Sequence, residues 1–251
     1  QCLESGLSVA VTDGDVGQAD IGPPATINAS TILEPIRGLQ HAEAMSSYFV
    51  GDTSPSIIPH KLVTLMARLS TEIAKTADVI IVNTDGWIDE PSALRYKQEL
   101  LDRLAPDLVF GLSRDNSVDQ LLETIHYTSL KLSSSLYATT RSREERKRNR
   151  EAGYKRFLNG SRILREKHDM AQLRMFDHPE QTLFRGDRRF RGFLVGLLDD
   201  RERLLGIGRI REMSTQDCLL ETRVEEQPKF VEIGNLVLSS RYEEVGTGTL
   251  H

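Results

Sequence analysis

Two carboxylates, Asp13 and Asp15, flank Gly14 just beyond the apolar run Leu7–Val11. An apolar run that ends abruptly in acids has the form of a buried parallel strand that delivers carboxylates to the ligand-binding edge of an α/β sheet. It is also the form of a Walker B element, whose Asp serves Mg²⁺ or an attacking group in phosphoryl transfer. Residues two apart on an extended chain point the same way. One carboxylate can therefore orient Mg²⁺ while the other takes the proton of an attacking hydroxyl. The plainer alternative is an Asp that caps its own loop. Gly17, Gly22, Pro23 and Pro24 follow, and they force a tight turn rather than an immediate helix.

A second apolar run, Val79–Val82, leads into Thr84-Asp85-Gly86-Trp87. Trp87 is the single Trp of the chain and precedes Ile88-Asp89-Glu90-Pro91, which places it on a loop past a strand end. A ring exposed there can stack on a nucleobase for about 1–3 kcal/mol per base; a core aromatic is the competing reading. Residues 141–156 hold eight Arg or Lys against three Glu. Arg donates paired hydrogen bonds to phosphate and stays charged, although a basic helix face is most often only solvated.

The elements that must position these groups are legible in outline. Three apolar runs, Leu7–Val11, Val79–Val82 and Leu108–Leu112, read as core parallel strands. Between and after them lie helical patterns. Residues 60–77 place Leu62, Leu65, Met66, Leu69 and Ile73 on one face, residues 92–105 place Leu94, Leu101 and Leu104, and residues 117–126 place Val118, Leu121, Leu122 and Ile125. Strands alternating with helices imply a parallel sheet with helices on its faces. From about Phe184 the pattern changes to short strands, Phe193–Leu198, Leu204–Ile210, Cys218–Val224 and Phe230–Leu238.

With 39% hydrophobic and 27% charged residues over a length of 251, the composition is that of a globular protein of one large domain, or of a core plus a small one. A net charge of −5 argues against a general nucleic-acid coat, which would be basic overall. The charge is uneven, since residues 185–211 hold another eight Arg. A local basic face on an acidic body fits a protein that grips phosphates at one place. Cys2 and Cys218 give neither metal spacing nor a disulfide framework. That suits a reducing compartment, the cytoplasm or, in a eukaryote, the nucleus.

Four segments, LSVAVTDGDVGQADIGPP (7–24), VGDTSPS (50–56), VIIVNTDGWI (79–88) and RSREERKRNREAGYKRFLNG (141–160), together resemble the polynucleotide 5′-hydroxyl kinases in order and spacing. These are relatives of the kinase-like subunit of the mRNA cleavage and polyadenylation machinery and of the pre-rRNA-processing kinases. The resemblance covers roughly residues 5–165. It implies an α/β fold with a P-loop NTPase-like parallel sheet and flanking helices over 1–165, an Arg-rich lid at 141–160, and a small β-barrel or sandwich over 184–251. It implies phosphorylation of the 5′-hydroxyl end of RNA, with DNA left open, from ATP and Mg²⁺. Carried onto this sequence, it makes Asp15 the general base, Asp13 the Mg²⁺ residue, and Gln18 a polar contact beside the nucleotide. Thr84, Gly86 and Trp87 match the TxGW clasp of the terminal nucleotide, with Asp85 in its variable position. Arg141, Arg146 and Arg150 match the lid positions; Arg141 and Arg146 are the catalytic choices, while Arg150 and Lys147 either hold nucleic acid or merely solvate the helix.

No GxxxxGK[ST] phosphate loop occurs in these residues. The opening QCLESG reads as the end of a helix stopped by Gly6. Both features lead to the expectation of an N-terminally incomplete kinase whose P-loop lies one strand and one helix upstream. A catalytically inactive nucleotide-binding scaffold of an RNA-processing complex is the principal alternative, and a GTPase of the same general fold the second.

Overall fold

A computed structural model of the chain describes residues 1–135, 137–139, 141–167, 172–177, 190–214 and 216–248. The change of pattern expected near Phe184, and Arg185, Arg188 and Arg189, lie outside the described residues.

The chain opens with a helical turn. Leu7 N–H donates to Cys2 C=O and Gly6 N–H to Leu3 C=O, with Gly6 at φ +78: a Schellman stop. β1 (Val9–Gly14) follows and is buried along its whole length. It turns through residues 15–25 into β2 (Thr26–Ile32), which pairs with it antiparallel, and β3 (Ser46–Phe49) adds antiparallel to β2. α1 (Pro59–Ile73) starts on a proline at its first position and buries Leu62, Val63, Met66, Leu69 and Ile73, a helical stripe laid on the sheet. β4 (Val79–Thr84) then pairs parallel with β1, giving the order β3-β2-β1-β4.

This sheet is mixed, whereas three parallel strands were expected. β2 and β3 were not legible because β2, TINASTI, fills half of its buried positions, Thr26, Asn28 and Ser30, with polar groups. Thr26, Asn28 and Ser47 satisfy one another there: Ser47 Oγ donates to Asn28 Oδ1 at 2.7 Å, and Asn28 Nδ2 to Thr26 Oγ1 at 2.9 Å. After α2 (Pro91–Leu104), the third apolar run forms β5 (Val109–Leu112). It pairs in parallel not with β4 but with β6 (Ser129–Leu132), which follows the short helix α3 (Asp119–Thr124). Ile81 on β4 and Phe110 and Leu112 on β5 are exposed, and no hydrogen-bonded pairing joins β4 to β5 among the described residues.

α4 (Arg143–Leu158) leads into a second sheet. β7 (Arg162–Lys167), β8 (Gln172–Met175), β9 (Phe193–Leu198), β10 (Leu204–Met213), β11 (Asp217–Thr222), β12 (Phe230–Leu238) and β13 (Glu244–Thr247) join in the order β13-β12-β9-β10-β11-β7, with β8 parallel to β12 and the other pairs antiparallel. The sheet therefore begins at Arg162, ahead of residue 184 and within the span assigned to the core. β7, RILREK, mixes charges with its apolar residues and among the described residues pairs on one side only, with β11, so its signal as a strand was weak.

The two sheets meet closely. Phe49 lies against Gly196, and a Cβ on Gly234 would sit 2.6 Å from Gly51 C=O. Asn235 N–H donates to that same carbonyl at 2.8 Å. Lys61 of α1 reaches across to Glu232 of β12. Glycine is needed at 234 because backbone meets backbone there. Gly234→Ala is expected to cost about 1–3 kcal/mol, the usual penalty of overpacking a dense interior, read as a lower midpoint in urea unfolding.

Candidate active site

The parallel register of β1 and β4 pairs Asp13 with Asn83 and Gly14 with Thr84. The next residue on each chain, Asp15 and Asp85, therefore leaves the same edge of the sheet side by side. The two acids just past Gly14 and Thr84 share one site although 70 residues separate them.

Asp13 is 1% exposed and its carboxylate is fully used. Oδ1 accepts from Asp15 N–H at 3.3 Å and Asn83 Nδ2 at 3.0 Å; Oδ2 accepts from Asp20 N–H at 2.7 Å and Ile21 N–H at 3.0 Å. Asp13 was expected to bind Mg²⁺. It is instead the anchor of the loop 15–21, because both oxygens already take two donors each.

Asp15 is placed differently. Its Oδ1 accepts from Gly17 N–H at 3.1 Å and Gln18 N–H at 3.0 Å, and Oδ2 accepts no hydrogen bond among the described residues. Burial pushes its pKa above the ordinary 3.8, the neighbouring charges of Asp13 and Asp85 push the same way, and the two N–H donors pull against them. A half-buried carboxylate with one open oxygen and a raised pKa suits a proton acceptor. Among the described residues no cluster of three or more His, Cys, Asp or Glu could hold a metal by itself. A Mg²⁺ that arrives with a nucleotide would keep waters and phosphates as ligands, so Asp15 would face it across one of those waters.

Asp85 is the residue that sequence reasoning passed over as variable. It is 6% exposed and ion-paired to Lys97, which is 4% exposed, with Lys97 Nζ 3.1 Å from Oδ2 and donating to the Asp85 carbonyl at 2.6 Å. Oδ2 also accepts from Tyr96 Oη at 2.8 Å, and Oδ1 from Trp87 N–H at 3.0 Å. Trp87 sits on a loop, as expected, but it is half-buried and stacks on Tyr96 with ring centroids 5.8 Å apart at 29°. It is not a free ring: it lies partly buried against the edge of the main hydrophobic core. The signal that could have exposed this cluster is the helix register. α2 buries Ala93, Tyr96, Lys97 and Leu100, one step round from the leucine face read from the sequence. Thr84 and Gly86 are exposed, and a Cβ on Gly86 would meet nothing within 4 Å, so no packing within the chain demands glycine there.

Gln18 ties this loop to α4. Its Nε2 donates to Arg146 C=O at 3.1 Å, and its Oε1 accepts from Arg141 at 3.3 Å and Asn149 at 3.3 Å. α4 begins in a capping box, Ser142 with Glu145. Its second half is fixed, with Tyr154 and Leu158 buried and Gly153 against Pro24. The Arg146 side chain is exposed and unpaired among the described residues. Arg150 was expected to hold nucleic acid. Its guanidinium instead makes a bidentate pair with Glu244 at 2.6 and 2.7 Å, which neutralises it and pins α4 to β13. The 50–56 loop joins the site too: Asp52 Oδ1 accepts from Ser54 N–H at 2.7 Å, and a Cβ on Gly17 would sit 3.0 Å from Thr53 C=O.

A family model described as the mRNA cleavage and polyadenylation factor CLP1 P-loop matches residues 1–160. The chain belongs to the CLP1 P-loop family. The match ends just before β7 opens the second sheet. Relatives include a polyribonucleotide 5′-hydroxyl-kinase of Pyrococcus horikoshii, 31% identical over 164 residues, covering 65% of this chain and 45% of that protein. A polyribonucleotide 5′-hydroxyl-kinase of Methanocaldococcus jannaschii is 31% identical over 165 residues, again 65% and 45%. The chain thus spans about half the length of the curated relatives it matches. In fold it is similar to the structure of a wild-type Clp1p–Pcf11p complex, with a TM-score of 0.66 at 10% identity over 92% of this chain and 67% of that one. The α/β core followed by a β domain is therefore the family's architecture.

Asp13 and Asp15 should part in stability measurements. Asp13→Ala is expected to cost about 3 kcal/mol or more, because hydrogen bonds to a charged acceptor contribute about 1.5–3 kcal/mol and buried donors left unpaired cost about 1–3. Asp15→Asn should hold or raise the melting temperature at pH 7. The fold raises the Asp15 pKa above the ordinary 3.8, so stability falls as pH rises past 3.8 and the penalty is complete once pH exceeds the raised value. The advantage of Asn should shrink as pH falls and Asp15 protonates.

Proposed function

We propose that these residues form the acceptor-binding and lid side of an ATP-dependent kinase that phosphorylates the 5′-hydroxyl end of RNA. The observation that carries the reading is the convergence of Asp15, the Asp85–Trp87 loop and Arg141 of the lid on one sheet edge. Asp15 takes the proton of the terminal hydroxyl. Trp87 stacks on the terminal base, and the open space at Gly86 lets the nucleotide approach the backbone. Arg141 and Arg146 face the phosphoryl group as it transfers and stabilise its spreading charge. When bound, Mg²⁺ offsets charge on the ATP phosphates. Asp13 acts through the loop it anchors, and Gln18 holds the loop against the lid.

The nucleotide phosphates need a loop that these residues do not contain. In this reading it comes from outside the 251 residues and docks where β4 and β5 leave exposed apolar edges. The short share of the kinase-named relatives that the chain covers supports this. The same names support RNA as acceptor, and DNA ends belong in the same assay as a second substrate.

The test is transfer of labelled γ-phosphate from ATP to a 5′-hydroxyl oligoribonucleotide by this chain joined to a segment bearing GxxxxGK[ST]. Transfer is expected for the joined protein and not for the chain alone. Asp15→Asn should lower the rate about 10²-fold or more, the scale of general-base catalysis. A joined protein that binds ATP and transfers nothing would leave only a scaffold role.

Arg146→Ala and Arg141→Ala should each lower kcat more than ATP affinity, because a group met only at transfer stabilises the transition state. Trp87→Ala should weaken oligonucleotide binding by about 1–3 kcal/mol whatever the terminal base, while KM for ATP stays constant. Its stability cost should fall below the about 3–5 kcal/mol of a fully buried Trp, since the ring is half-exposed.

A further inference from the structure

Burying a charged pair costs several kcal/mol unless geometry and further hydrogen bonds offset it. Lys97 and Asp85 are such a pair, buried directly beneath the loop that carries Trp87. Neither residue is required to build α2 or β4: an apolar side chain at 97 would continue the buried face of Ala93, Tyr96 and Leu100. What the pair does is local. Lys97 holds Asp85 at two points, its carboxylate and its carbonyl. The same carboxylate then fixes the N–H of Trp87 and the hydroxyl of Tyr96, whose ring lies against the indole. Backbone and ring of the clamp are thus both referenced to one buried charge.

We propose that Lys97 and Asp85 are positioning residues that set the Trp87 ring for the acceptor's terminal base, with Tyr96 as its backing. This rests on the kinase reading for the identity of the acceptor, but not for the placement of the ring. Preorganisation of this kind raises affinity because the ordering cost is met on folding and not on binding.

Trp87 is the only Trp, so fluorescence of the whole chain reports on this ring alone. Lys97→Met keeps the length and removes the cation; Asp85→Asn keeps an acceptor for Trp87 N–H and removes the charge. In both variants Trp87 should become markedly more quenchable by acrylamide, with a red-shifted emission. Apparent Kd for a 5′-hydroxyl oligoribonucleotide, read by Trp87 quenching, should rise about tenfold, a factor equal to about 1.4 kcal/mol. The double variant Asp85→Asn/Lys97→Met separates positioning from bulk stability. Without a buried charge its melting temperature should recover toward the native value, while acrylamide quenching and Kd stay at the single-variant level. Native quenching in either folded single variant, or recovery of tight binding together with melting temperature in the double, would overturn the proposal. If the native chain binds no oligonucleotide, the acceptor assignment fails, and the acrylamide comparison still decides whether the pair sets the ring.

Discussion

The site depends on one buried carboxylate. Asp13 accepts four hydrogen bonds, three from backbone N–H groups of residues 15–21 and one from Asn83, and so turns the segment ahead of Gly22, Pro23 and Pro24 into a fixed loop. An unpaired N–H in that position would carry the full cost of desolvation, which is why so polar a stretch can lie at the end of a fully buried strand. From that loop everything near the chemistry is set. Asp15 is turned to leave one oxygen open, Gln18 is aimed at α4, and Ile21 is packed beneath.

A second buried charge organises the opposite wall. Asp85 occupies on β4 the place Asp15 occupies on β1, yet its environment gives it another role. Lys97 pairs with it, whereas Asp15 has no cation within hydrogen-bond reach among the described residues, and burial raises its pKa against the pull of the Gln18 N–H. Two carboxylates at one sheet edge thereby sit in different surroundings, one closed off in a buried ion pair and the other left with an open oxygen and a raised pKa.

Much of this was legible, and the failures have physical causes. β1 and β9 could be read because they open on apolar runs and are buried along their whole length, and β12 because most of its residues are apolar. α1 could be read from its stripe. Trp87 was rightly placed on a loop beyond β4, because Gly86 and Pro91 bound it. β2 escaped because its buried polar groups satisfy one another, a pairing that exists only once β3 lies alongside. Lys97 escaped because a charged residue in a helix is read as solvent-facing, and only tertiary pairing with Asp85 reverses that. Arg150 looked like its basic neighbours until β13, nearly a hundred residues away in the sequence, brought Glu244 to it. Contacts of long sequence separation decide such roles, and periodicity carries no information about them.

If this sheet edge receives a 5′-hydroxyl end, the chain should distinguish strands by their end group. This is tested most directly by titrating the chain with two oligoribonucleotides of one sequence, one ending in a 5′-hydroxyl and one in a 5′-phosphate, and following Trp87 emission. Asp15 presents an open carboxylate oxygen where the end group would sit, and a phosphate dianion there is repelled while a hydroxyl can donate to Asp15. The account predicts quenching by both, with the 5′-hydroxyl strand bound about tenfold more tightly. Equal affinity for the two ends, or tighter binding of the phosphate, would contradict it.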